Sequence, residues 1–263
     1  MNRVGRLAEA LPLGIADPGF EVLLRRIDQA PFLGGNKVEV YTDGQAAFTA
    51  MREAGLAAER EILLESYIFK DDATGRTFLE EAAAAILRGA AVRVMADAAG
   101  SQTTRAGFWR EMEGRGIETR LFNPLFPFFW WFQPFRDHRK IFVVDRRVAF
   151  TGGMNIGEEY GSPRPKAGRT WRDTHVRVEG PAAWEMAVVF AEGWGRAGGR
   201  PFEIEPLPAE AAAGPGARIL VLDSRPGRGH AESAAVLAAI VGAARRSVWI
   251  TNAYFAPGRT AID

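Results

Sequence analysis

The stretch His138-Arg139-Lys140-Ile141-Phe142-Val143-Val144-Asp145, followed by Gly152-Gly153-Met154-Asn155, constrains this chain more than any other. A run rich in Ile, Phe and Val reads as a strand. His138 and Lys140 stand two apart in it, so their side chains share one face. Asp145 ends the run, Arg146-Arg147 read as a turn, and Val148-Ala149-Phe150-Thr151 as the returning strand. The expected local structure is a hairpin. It gathers an imidazole, an ammonium, a carboxylate, two glycines and a carboxamide within eighteen residues.

Those groups suit a phosphodiester, whose negative charge must be neutralised before a nucleophile can approach. Lys140 supplies a point charge with an ordinary pKa of about 10.4. Asn155 and the backbone N–H groups near Gly152-Gly153 can donate to phosphoryl oxygens. His138, with an ordinary pKa of about 6.5, can attack as a neutral ring. Asp145 falls on the far side of the strand, where it orients or balances charge. The candidate catalytic residues are therefore His138, Lys140 and Asp145, and the candidate phosphate-binding residues are Lys140, Gly153 and Asn155. No His, Asp or Glu cluster has metal-ligand spacing and there is no cysteine, so neither a metal nor a cofactor is expected.

The pattern H-x-K-x4-D-x6-G-G-x-N resembles the signature motif of the phospholipase D superfamily. Flanking segments look like its bacterial cardiolipin synthase subgroup: Gly35-Asn36-Lys37-Val38-Glu39-Val40, Leu64-Glu65-Ser66-Tyr67-Ile68-Phe69, Asp97-Ala98-Ala99-Gly100-Ser101, Phe122-Asn123-Pro124 and Trp171-Arg172-Asp173-Thr174-His175. The resemblance implies an α/β fold, a phospholipase D-like sheet flanked by helices. It also implies a phosphohistidine intermediate and transfer of a phosphatidyl group between lipid alcohols, with a phosphatidylglycerol-like phospholipid as substrate. In such enzymes a second histidine, from a second copy of the motif, protonates the leaving oxygen. The other two histidines here, His175 and His230, lack a lysine two residues on. His175 reads as a structural or supporting residue in a strand, and His230 as a loop or helix-start residue.

An internal repeat indicates where the partner belongs. The strand-like run 61–69 follows a helix at 44–60, and 247–255 repeats that arrangement after a helix at 231–244. The offset of about 186 residues places a second histidine near position 324, past Asp263. The expected organisation is an N-terminal extension (1–34), a complete first half (35–197, motif about 133–160), a Pro/Gly/Ala-rich linker (198–217) and a truncated start of a second half (218–263). The second active-site half is then expected from the missing C-terminal region, or less readily from a homodimer partner. Between these segments, helices at 77–87, 104–114 and 182–195 alternate with strands at 92–97 and 117–122. Asp71-Asp72 read as a solvated turn rather than an acid–base pair.

Residues 122–135 hold eight aromatics and three prolines. Such a run is neither a regular helix nor long enough to span a bilayer. Phe128, Phe129, Trp130 and Trp131 suit the headgroup–acyl boundary, which makes a membrane surface the expected partner. Aromatics also stack on bases, so a phospholipase D-like nuclease is the alternative. A catalytically incomplete membrane-binding or assembly module is another. Lys and Arg total 33 against 32 Asp and Glu, which gives no global basic field and disfavours nucleic acid. The first thirty residues hold neither a signal core nor the ~20 apolar residues of a spanning helix. A cytoplasmic protein, peripheral at the membrane, is expected.

Overall fold

The computed structural model describes residues 3–28, 30–124, 135–162, 168, 170–223 and 229–251. Its regular elements in chain order are α1 (Arg3–Glu9), α2 (Pro18–Asp28), β1 (Phe32–Tyr41), α3 (Gly44–Leu56), β2 (Glu61–Ser66), α4 (Ala73–Leu87), β3 (Ala91–Asp97), α5 (Ala106–Gly114), β4 (Glu118–Phe122), β5 (Ile141–Val144), β6 (Val148–Gly152), α6 (Glu158–Gly161), β7 (His175–Glu179), α7 (Pro181–Arg196), β8 (Ala217–Leu220) and α8 (Gly229–Ala243). The strands form one sheet in the order β4-β3-β2-β5-β6-β7-β1-β8. β2, β3 and β4 pair in parallel, whereas β5, β6, β7 and β1 continue the sheet antiparallel. This is the mixed α/β class that the alternation of helices and strands predicts.

β2 is buried along its whole length, as befits a central strand covered on both faces. Ile62 and Leu64 pack with Met51 of α3, Leu79 and Ala82 of α4, Phe108 and Met112 of α5, and Phe142 and Phe150 of the hairpin. Each such side chain contributes about 1.5–3 kcal/mol on burial. The long helix α7 packs on β2, β5, β6 and β7. Asp43 caps α3 by accepting from Ala46 N at 2.8 Å, and Asp72 caps α4 through Thr74 N and Gly75 N. Asp71 is held by Arg76 and Arg105. The two adjacent carboxylates are thus a helix cap and an ion-pair partner.

The chain divides into two compact units, Leu33–Ile219 and Met1–Phe32 together with Leu220–Asp263. In the smaller unit Ala8, Phe20 and Leu24 share a core with Val236, Ala239 and Ala243 of α8. The segments 1–34 and 218–263, set apart in the sequence, therefore contribute to a common core. Residues 198–217, read as a linker, carry a 3₁₀ turn at Ala209–Ala213 and enter β8, beside β1, at Ala217. The strand expected over 247–255 is not seen at 247–251, which have no regular structure. Residues 252–255 lie outside the described residues.

Two strand boundaries differ from the sequence reading, each because polar groups capture the backbone. β2 stops at Ser66, whose Oγ donates to Ile68 O at 2.7 Å, and Ile68 N donates to Asn155 Oδ1. β5 begins only at Ile141, so His138 and Lys140 precede the strand. There Asp137 N donates to Asp97 Oδ2 at 2.9 Å and Arg139 N to Asp137 Oδ1 at 3.1 Å. The sheet ladder has no claim on those N–H groups.

The β5–β6 turn centres on Asp145 and Arg146, both left-handed with φ of 52° and 57°. Positive φ at both central positions is the hairpin geometry that matches strand twist, and it ordinarily favours Asn or Gly. Here the Asp145 carboxylate accepts from Glu59 N, Arg60 N and Glu61 N at 2.8–2.9 Å, which holds the strained residue in place. Asp145→Ala is expected to lower the unfolding free energy by about 1.5–3 kcal/mol, because three N–H groups lose a charged acceptor. Denaturant titration of the two proteins checks it.

Candidate active site

The carboxyl ends of parallel β2 and β3 meet the amino end of antiparallel β5. Tyr67, Asp97 and residues 137–140 converge there. Successive side chains of 137–140 make separate sets of contacts. His138 is exposed and Lys140 is buried. The Lys140 Nζ stands 3.3 Å from His138 Nδ1 and donates to His138 O at 2.8 Å. The Tyr67 ring lies 4.7 Å from the imidazole centroid to centroid, and 5.7 Å from the ammonium. Asp137 and Arg139 form a buried ion cluster with Glu65, with Arg139 Nε 2.7 Å from Glu65 Oε1 and 3.0 Å from Asp137 Oδ1.

Burial pushes the Lys140 ammonium down to about 8, opposed by Asp173, Asp137 and Glu65. It remains mostly charged at pH 7, although less securely than its ordinary value suggests. Partial desolvation of the ring, then the charge on Lys140, lowers the His138 pKa as well, against Asp97 and Asp137. The pair therefore consists of a ring disposed to be neutral beside a cation. Such a pair can present a nitrogen lone pair to an electron-poor phosphorus while the ammonium neutralises its oxygens.

A Cβ on Gly152 would lie 2.4 Å from Thr174 O, and one on Gly153 would lie 2.0 Å from Asp173 Oδ1. Gly153 N donates to Thr174 O at 3.0 Å, so this N–H is already spent within the protein. The pair lets the segment Asp173-Thr174-His175 press against the hairpin. Asn155 is buried, accepting from Ile68 N at 3.1 Å and donating to Tyr160 OH at 2.8 Å. It pins the loop after β2. Asp145 sits at the opposite end of β5 from His138, bound to the backbone of 59–61.

Of the sequence candidates, then, the structure brings His138 and Lys140 together. It places Gly153 and Asn155 in the supporting framework and Asp145 in the far turn. Phe128, Phe129, Trp130 and Trp131 lie outside the described residues. The flanks of that aromatic run are tied together beside the site, with Asn123 Nδ2 donating to Phe135 O at 2.8 Å. Sequence reasoning missed Tyr67 and Asp173, and read His175 as a structural or supporting residue in a strand. Consecutive glycines opposite a following strand were the available signal, since they demand close approach of whatever packs there.

Residues 53–162 match the family model described as "Cardiolipin synthase, PLD-like domain". Over that stretch the chain is similar to a phospholipase D-like domain. That stretch and its flanks are 28% identical over 266 residues to cardiolipin synthase 1 of Bacillus anthracis, covering 97% of this chain and 52% of the relative. They are 32% identical over 237 residues to cardiolipin synthase A of Pseudomonas aeruginosa, covering 89% of this chain and 47% of the relative. The chain thus spans about half the length of the curated relatives it matches. The fold also superposes on the phosphatidylserine synthase of Haemophilus influenzae, with a TM-score of 0.51, 17% identity and coverage of 65% of this chain and 40% of that one. Among the described residues no helix is long and apolar enough to cross a membrane.

Proposed function

We propose that this domain supplies one histidine–lysine half of a cardiolipin synthase-type phosphatidyltransferase or phosphodiesterase acting on phospholipids. The observation that carries the reading is the exposed His138 ring held against the buried Lys140 ammonium, 3.3 Å apart, within a domain that matches the cardiolipin synthase model. The His138 ring attacks phosphorus, forming a P–N bond as the P–O bond to the first alcohol breaks. Lys140 holds the non-bridging oxygens through the charge build-up. The departing oxygen takes a proton from a second histidine, on a matching half of the protein or on a second copy of this chain. A lipid alcohol or water then gives up its proton to that histidine, attacks phosphorus and releases His138. A phosphatidylglycerol-like substrate presented at a membrane surface fits the resemblance to cardiolipin synthases, and peripheral attachment at the cytoplasmic face goes with it.

The test is to incubate the full-length protein with vesicles containing labelled phosphatidylglycerol and, in parallel, with DNA. Formation of a two-phosphate lipid or of phosphatidic acid, with an acid-labile phosphoryl group on a histidine after quenching, is the expected outcome. DNA cleavage with inert lipid overturns the substrate, and turnover without any P–N adduct overturns the mechanism.

The same geometry sets a pH profile. His138 must be neutral to attack and its pKa lies below the ordinary 6.5, so the acid limb of kcat/KM falls below pH 6.5. Lys140 must be charged and titrates at about 8, so the rate declines as pH rises through that value. Lys140→Arg is expected to remove the alkaline limb, because a guanidinium stays protonated there. Rate measurements from pH 5 to pH 10 on both proteins check it.

A further inference from the structure

His175 has no part in the mechanism above, yet its setting is specific. It opens β7, paired with Gly152 of β6 on one side and Tyr41 of β1 on the other. It is 3% exposed, and its Nδ1 is buried without a hydrogen-bond partner. His175 and Lys140 line the same small cavity of about 10 Å³, together with Ser66, Glu65 and Met154 among others. The glycine at position 152 makes room for the ring, since a Cβ there would lie 2.9 Å from Nδ1.

An unsatisfied buried ring nitrogen costs about 1–3 kcal/mol, and an apolar side chain of similar volume would avoid that cost. What a histidine supplies here is a polar surface without charge. A carboxylate at this position would pair with Lys140 and draw the ammonium away from His138. A second cation would repel it. A neutral imidazole does neither.

We infer that His175 is a positioning residue, whose uncharged ring forms the inner wall behind Lys140 and keeps the ammonium turned toward His138. The inference deepens the functional reading and rests on it, in that Lys140 is taken as the cation that holds phosphoryl oxygens. Burial, then the charge of Lys140, pushes His175 down to about 4, so the ring is neutral wherever the pair can work. The groups facing Lys140 are His138 and Asp137 on its own segment, Tyr67 and Glu65 from the β2 side, and Asp173 and His175 from the β7 side.

The chain has only four lysines, so ¹³C-labelled lysine lets NMR follow the Lys140 titration without substrate, with Lys140→Arg assigning the signal. The wild-type midpoint is expected at about 8. His175→Asp is expected to move it upward by about one to three units, as an adjacent opposite charge does. His175→Gln, neutral and of similar size, is expected to leave it in place. An unmoved midpoint in His175→Asp, or an equal rise in His175→Gln, overturns the inference. Should the aspartate variant not fold, His175→Ala admits water behind the ammonium, and the midpoint is expected to climb toward the ordinary value of about 10.4. A midpoint that stays near 8 in that variant overturns it too. Absence of lipid turnover by the full-length protein would instead overturn the functional reading and leave the titration result standing.

Discussion

His138→Ala is expected to reduce lipid turnover by the full-length protein by about 10⁴–10⁶-fold, the range seen when the nucleophile of a covalent mechanism is removed. No other histidine of this chain can take over from it. Of the three histidines, His175 is buried and neutral behind Lys140, and neither it nor His230 has a lysine two residues on. Stability should barely change, within about 0.5 kcal/mol, because the ring is exposed and its main contacts are the Tyr67 face and the ammonium. The bond from Lys140 Nζ to the carbonyl of residue 138 survives the substitution, so the cation keeps an anchor. Lys140→Ala should cost less in rate, on the order of 10²–10³, as loss of one electrostatic donor does. Thermal unfolding and single-turnover rates on the same preparations separate the two effects. A His138→Ala protein that still turns over lipid within tenfold of wild type would remove this residue from the chemistry.

How much of this was legible in the sequence depended on whether the signal was local. The hairpin, the alternation of helices with strands and the pairing of His138 with Lys140 follow from short-range patterns, and the structure reproduces them. Burial in the central strand was legible too, since Ile62-Leu63-Leu64 is a continuous apolar run. The contacts of Gly153, Asn155 and Asp145 within the protein were not legible, because they reach partners set by the fold, among them Asp173 and Thr174, Ile68 and Tyr160, and the backbone of 59–61. A motif shows which residue types recur together without saying which face a ligand and which face the protein. The start of β5 was misplaced for a similar reason. Asp97 and Asp137 capture backbone N–H groups that an apolar–polar pattern assigns to the ladder. The lowered pKa of Lys140 likewise depends on burial, which the reference value of a lysine does not contain.

Arg139→Met is expected to destabilise the protein by about 3–5 kcal/mol at neutral pH, the cost of leaving buried carboxyl groups without their cation. Arg139, Glu65 and Asp137 are each less than a tenth exposed. The guanidinium bridges the two acids, with Nη2 2.8 Å from Asp137 Oδ2 in addition to the contacts through Nε. Burial already pushes the Glu65 carboxyl well above the usual carboxylate range, and the nearby Asp137 adds to it. Removing the cation, which holds the Glu65 carboxyl down, raises that acid further in the folded protein. An acid whose pKa is higher folded than unfolded adds stability at low pH and loses it as pH rises. The deficit of Arg139→Met should therefore be smaller at pH 5 than at pH 7, and adding Glu65→Leu should restore a substantial part of it at pH 7. Guanidinium unfolding of the single and double variants at both pH values measures this. Residues 137 and 139 alternate with 138 and 140, so the ion cluster also fixes the segment that carries the reactive pair. The folded fraction of Arg139→Met should lose the close approach of Lys140 to His138, and a variant equal in stability to wild type at pH 7 would show that the cluster holds nothing in place.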